Sequence, residues 1–245
     1  MPLKLTIPRS VNSNSEGFRY FAQLAADTMI VHSTDVILDF TYCRWFDGNL
    51  CAVLGNILDG LVSRGNSIQI INLHQNQETA FTRNQFLRNF QDERVSMDSL
   101  TIPYSQFQLK DEQKAMDFIK RELFDKPNMP QMSDDAKKLV LVSIFEICVN
   151  AITHGECTEV YVCGQIYPTR IPPEVSLSFS DLGRTIKANV NDHRKTNDSG
   201  NKTILWALEE RNTTKLVSSG EPGGIGLKLL QDLINLNKEV GISSP

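Results

Sequence analysis

The stretch SIFEICVNAITHG, residues 143–155, decides the reading of this chain. It belongs to a run from Asp134 to His154 that is apolar almost all round, with Leu139, Val140, Leu141, Val142, Ile144, Phe145, Ile147, Val149, Ala151 and Ile152. A helix of that composition is expected to be buried. Ser133 is placed to cap it, with Asp134 and Asp135 in the first turn, and Gly155 to stop it. One polar line interrupts it: Ser143, Glu146, Asn150 and His154, spaced three, four and four, which share one face. A carboxylate buried without a partner is expensive, so Glu146 and Asn150 should face a polar cavity, a ligand or solvent. The solvent edge of an ordinary packed helix gives the same pattern.

Downstream, Val175, Leu177 and Phe179 alternate with Ser176, Ser178 and Ser180, which predicts a strand with one buried and one wet face. Asp181-Leu182-Gly183 follows it. The carboxylate can accept a hydrogen bond from an exocyclic amine, and the glycine leaves room for a flat ring; the same tripeptide also makes a plain turn. Some forty mostly polar residues come next, with a short helical patch around Trp206. Thr213-Thr214-Lys215 then precedes Gly223-Gly224-Ile225-Gly226-Leu227 at the start of a last predicted helix, 224–236. N–H groups at a helix start attract phosphate. The segment lacks the Walker pattern and the preceding strand of a dinucleotide fingerprint.

Upstream, the chain reads as strand–helix–strand. Helices are predicted over 18–29 and 79–90, strands at DVILDF (35–40) and IQIINL (68–73), and an amphipathic helix carried by Leu50, Val53, Leu54, Ile57, Leu58 and Leu61 and ending near Gly65. Residues 91–110 read as a loose connection holding Pro103, which sets a boundary near residue 100 between units 1–100 and 101–245. Net charge is −4, which argues against a nucleic-acid binder. No apolar run reaches the ~18 residues of a membrane span, and the N-terminus carries no signal core, so a cytoplasmic location is expected. Five cysteines without a CxxC or a Cys/His quartet point to reduced thiols and argue against zinc.

Taken in order, Glu146-x-x-x-Asn150, Asp181-x-Gly183, a polar segment, Thr213-Thr214-Lys215 and Gly223-Gly224-Ile225-Gly226 resemble the GHKL (Bergerat-fold, histidine-kinase-like) ATPases over about residues 105–238. FEICVNAITHG is most similar to the anti-sigma-factor serine kinases. The resemblance implies an α/β sandwich, a mixed sheet with helices on one face. It implies ATP and Mg²⁺ as cofactors: Asn150 as metal ligand, Glu146 as the catalytic base, and Asp181 and Gly183 around adenine. Gly224 and Gly226 would hold phosphate, Thr213, Thr214 and Lys215 would add hydroxyls and a charge, and 184–222 would form a lid. The first unit resembles a STAS domain through DVILDF, Asp47-Gly48-Asn49-Leu50 and IQIINL, with Gly48 and Asn49 where antagonists carry a phosphorylatable residue. Two departures stand out. Thr185 replaces a second glycine after Asp181, and only KEVGISSP follows Asn237, so the expectation is that the family's C-terminal strands are missing or that another chain completes the sheet.

The implied function is a bacterial ATP·Mg²⁺-binding regulatory protein that hydrolyses ATP or phosphorylates a protein partner on Ser or Thr. A non-catalytic, nucleotide-gated interaction module is the alternative. A protein partner is expected, with room for a homodimer, and neither nucleic acid nor membrane. No histidine is followed by an acidic residue, as a histidine-kinase acceptor requires: Ser33, Gln75, Gly155 and Arg194 follow the four.

Overall fold

A computed structural model describes residues 1–90, 98–108, 112–209, 212, 214, 231, 232 and 235. The architecture is mixed α/β with small sheets. In the first half, β1 (Leu3–Thr6), α1 (Ser15–Thr28), β3 (Asp35–Asp39), α2 (Cys51–Ser63) and β5 (Ser67–Ile71) alternate, and the strands pair in parallel in the order β1-β3-β5. One face of this sheet lies in the core, with Val36, Leu38 and Ile70 buried, while Lys4, Thr6 and Gln69 on the other face are exposed. A short parallel pair, β2 (Ser10–Val11) with β4 (Trp45–Phe46), closes one end. Asn14 caps α1 by accepting from the N–H groups of Glu16 and Gly17.

The helix predicted over 79–90 is two helices, α3 (Gln75–Arg83) and α4 (Phe86–Phe90). Gln85 between them has a left-handed backbone, φ 62°. The buried Asn84 side chain holds this joint: it accepts from the Phe86 N–H and donates to the Gly48 carbonyl at 3.1 Å.

The stretch expected to be a loose connection contains a strand, β6 (Thr101–Gln108). Proline conceals it. Pro103 has no N–H to donate, and the register with β7 shifts between Ile102 and Ser105, the bulge at which a strand tolerates proline. Then follow α5 (Glu112–Ile119), a wide helical turn over Lys120–Phe124, α6 (Asp134–Thr153), β7 (Glu159–Tyr167), β8 (Glu174–Ser180), α7 (Ile186–Arg194) and α8 (Gly200–Leu208). The second sheet is antiparallel, β6-β7-β8.

The two faces of this sheet meet different partners. Ile102, Val162, Val175, Leu177 and Phe179 pack with Phe118, Ile119, Leu123 and Ile144 of α5, the wide turn and α6. On the other face Tyr104, Tyr161 and Cys163 join the core of the first half, with Leu54, Leu58 and Phe86. Packing is therefore continuous across residue 100. Backbone bonds reinforce it: the Tyr104 N–H donates to the Asn84 carbonyl at 2.7 Å.

The serine face of β8 is partly covered by α2 and the turn before it: Asn49 of that turn donates to the buried Ser178 hydroxyl at 2.8 Å, and Asn56 of α2 to the half-buried Ser180 hydroxyl at 2.9 Å. Alternation marked the two faces correctly, but hydroxyls matched to amides can be buried as well as solvated.

Candidate functional site

The site is built on α6. Ser133 caps it, its hydroxyl accepting from the Ala136 N–H at 3.2 Å. α6 is less buried than its composition predicts. Ser143, Ile144 and Ala151 are buried, Val142 is exposed, and Phe145 to Asn150 are half-buried. The sheet touches only one side of the helix, so an apolar perimeter did not translate into full burial.

Along the polar line, Ser143 is the most deeply buried, and its hydroxyl finds no hydrogen-bond partner among the described residues. Glu146 and Asn150 are half-buried, and among the described residues neither side chain is taken up by a hydrogen bond or an ion pair. Asn150 uses only its backbone carbonyl, which accepts from the N–H groups of His154 and Gly155 at 3.0 and 3.1 Å. Two polar side chains one turn apart, sheltered and uncommitted, are free to bind something else.

The C-terminal end of α6 seats the turn after β8. Arg184 donates its N–H to the Gly155 carbonyl at 2.5 Å. The side-chain amide of Asn189, on α7, donates to the His154 carbonyl. Gly183 lies so close that a Cβ there would come within 2.3 Å of the Gly155 oxygen. Gly155 in turn has no room for a side chain, since a Cβ would stand 2.5 Å from the Ala151 carbonyl. Asp181 is exposed; its Oδ1 accepts from the Gly183 N–H at 2.8 Å, and its other oxygen makes no bond among the described residues. Burial, helped by the charge of Asp181, raises the Cys157 thiol above its ordinary value, which reflects how near the start of β7 lies to this turn.

Thr214 comes to the same place, with its hydroxyl 2.7 Å from Nδ1 of His154. Thr213, Lys215, Gly224 and Gly226 lie outside the described residues. Of the predicted final helix, Gln231, Asp232 and Asn235 are helical. The described part of segment 184–222 holds α7 as well as the expected helix around Trp206. Thr185, at the family's second glycine position, is the N-cap of α7: its hydroxyl accepts from the Ala188 N–H at 3.2 Å. A capping side chain replaces conformational freedom there.

The structure thus joins Asn150, His154, Asp181, Gly183 and Thr214 around the last turn of α6. The sequence reads His154 as a structural histidine at the helix end, in line with Asn150 by i+4 spacing, and the resemblance assigns it no role. Asn189 carried no signal at all, since an asparagine in a polar segment is unremarkable until the fold sets it under the helix end.

A cavity of about 390 Å³ lies elsewhere, lined by Arg83, Asp98, Thr101, Glu122 and Lys126, and shares no residue with this site. Four of its charges pair with one another, Arg83 with Asp98 at 3.3 Å and Lys126 with Glu122 at 3.2 Å, and Asp125 adds a further carboxylate to the lining. Among the described residues no three His, Cys, Asp or Glu side chains gather as a metal cluster, and no helix is long and apolar enough to cross a membrane.

Comparison with protein families, with curated proteins and with solved structures returns no match to this chain.

Proposed function

We propose that the chain binds ATP·Mg²⁺ at the C-terminal end of α6, as a GHKL-type nucleotide-binding unit preceded by a STAS-like unit. One observation carries this reading. Glu146 and Asn150 are half-buried and, among the described residues, uncommitted on the helix whose end holds the Asp181–Gly183 turn and Thr214. The other oxygen of Asp181 suits the exocyclic amine of adenine. The Asn150 amide oxygen is a hard donor of the kind Mg²⁺ takes alongside phosphates and water. Bound there, the cation supplies charge neutralisation for the phosphates. Glu146 is one helical turn away and takes the proton of the attacking water, or of a partner's Ser or Thr hydroxyl, as that oxygen bonds to the γ-phosphorus and ADP leaves. The carboxylate is a suitable base because no ion pair among the described residues ties it down.

Titration calorimetry with ATP and a non-hydrolysable analogue, with and without Mg²⁺, tests the reading. Asn150→Ala should abolish the Mg²⁺-dependent affinity, and Asp181→Asn should weaken the preference for adenine. Glu146→Ala should leave binding intact and cut phosphate release by about 10²-fold or more, the usual worth of a positioned base. Equal release by wild type and Glu146→Ala leaves the non-catalytic, nucleotide-gated module. No ATP binding by the wild-type chain removes both.

A further inference from the structure

The turn that carries Asp181 is gripped from two sides, and only one grip belongs to α6. The other belongs to α2, an element of the first half. Asn56 is buried, and its amide donates to the hydroxyl of Ser180, the residue directly before Asp181, at 2.9 Å. One turn further along α2, the Cβ position of Gly60 lies 3.0 Å from Cδ1 of Leu182, the residue directly after Asp181. The spacings agree. Four residues of helix advance about 6 Å, and two residues of extended chain span at most about 7 Å. The end of α2 therefore runs alongside the end of β8, with Asn56 and Gly60 on one helical face meeting alternate residues that flank the carboxylate.

α2 is firmly seated in its own half. Leu54, Leu58 and Leu61 are buried beneath it. Asn66 ties its last turn to the chain before β3, donating to the Leu61 and Val31 carbonyls at 2.8 and 2.9 Å. A displacement of the first half is thereby passed to the backbone at 180–182. On the opposite side Gly183 and Arg184 rest on the Gly155 carbonyl, at the end of α6.

We propose that α2 is the positioning element of the Asp181 turn, with Asn56 as its principal contact, so that the first half of the chain sets the affinity and base selectivity of the nucleotide site. The proposal rests on the reading of Asp181 as the group that recognises adenine. Two packed segments with discrete seats, both bearing on one turn, make the physical element through which such coupling runs.

Amide hydrogen exchange on the ligand-free chain is the first arm of the test, because Gly183 and Arg184 have hydrogen-bonded N–H groups whose protection reports the turn. Asn56→Ala, and separately Ser180→Ala, should speed exchange at these two amides several-fold, and the double variant should do no more than either single one. Asn49→Ala breaks a bond to Ser178, further from the turn, and should lower stability without changing exchange at 183 and 184. The second arm is calorimetry: Asn56→Ala should weaken ATP by about three- to tenfold, the loss expected for one hydrogen bond, and narrow the preference for ATP over GTP, which offers a carbonyl in place of the amine. Unchanged exchange at 183 and 184 in both single variants overturns the positioning role whatever the nucleotide data show. Faster exchange with unchanged ATP affinity and selectivity overturns the regulatory role. If the wild-type chain binds no ATP, the nucleotide reading fails on its own, and exchange alone then decides whether α2 positions the turn.

Discussion

Gly55→Ala should destabilise the protein, against the usual sign for a helical glycine. In an exposed helix this change gains about 1 kcal/mol. Here the added Cβ would stand 2.4 Å from Cε2 and from the hydroxyl oxygen of Tyr104, well inside ordinary contact. Tyr104 has little room to retreat. It is 6% exposed, with ring centres of Phe86 at 5.4 Å, Tyr161 at 6.1 Å and Phe90 at 6.2 Å, and its hydroxyl donates to Asp59 at 3.2 Å. Overpacking of this kind costs about 1–3 kcal/mol. Weakening the Tyr104–Asp59 bond adds about 1 kcal/mol. After the helical gain is subtracted, the net loss is about 1–3 kcal/mol. Urea unfolding followed by circular dichroism reads it as a lower midpoint at similar slope. Adding Tyr104→Leu, which empties the contested space, should return part of the loss. A Gly55→Ala protein as stable as wild type, or more so, would show that α2 does not sit against β6 as described.

Two further outcomes follow from the same contacts. Burial raises the Asp59 carboxyl above its ordinary value, with Glu159 adding to the rise and the Tyr161 and Tyr104 hydroxyls opposing it. Protonation is thus favoured in the folded chain, and stability is lost as pH rises from about 4 through the elevated folded value. Asp59→Asn should be more stable than wild type at neutral pH and should flatten this slope; a lower urea midpoint at pH 7 contradicts the assignment. Gly183→Ala forces a Cβ to within 2.3 Å of the Gly155 carbonyl, and both sides of that contact are backbone. The turn should leave α6, with loss of Arg184 amide protection and of ATP affinity at retained far-UV dichroism. Unchanged protection would place the turn elsewhere.

Local signals were legible where one residue type did one local job. Ser133 capping α6 and the apolar strand β3 follow from short-range chemistry, and the structure shows both; α6 does end just before Gly155, but the left-handed residue is Glu156, φ 54°, and the glycine serves the close approach to the Ala151 carbonyl. β6 was hidden because Pro103 reads as a break until its bulge is seen against β7. The joint at Asn84 and Gln85 was hidden because the polar run Thr82–Gln85 reads as the outer face of one helix as readily as a break, and nothing in it marks a left-handed residue. At the site, the i+4 line of Glu146, Asn150 and His154 was readable from helical period alone. Asn189 was not, because its part depends on a segment 35 residues away folding back under the end of α6.

The sequence by itself determined which faces exist, because periods of 3.6 and 2 are properties of the backbone that side-chain order must follow. What covers those faces was decided only in three dimensions. Ser176, Ser178 and Ser180 alternate with apolar neighbours whether water or a helix lies above them. The amides of Asn49 and Asn56, more than a hundred residues earlier, replaced the water over Ser178 and Ser180. A hydrogen bond is indifferent to chain separation, and no local pattern records which distant donor will make it.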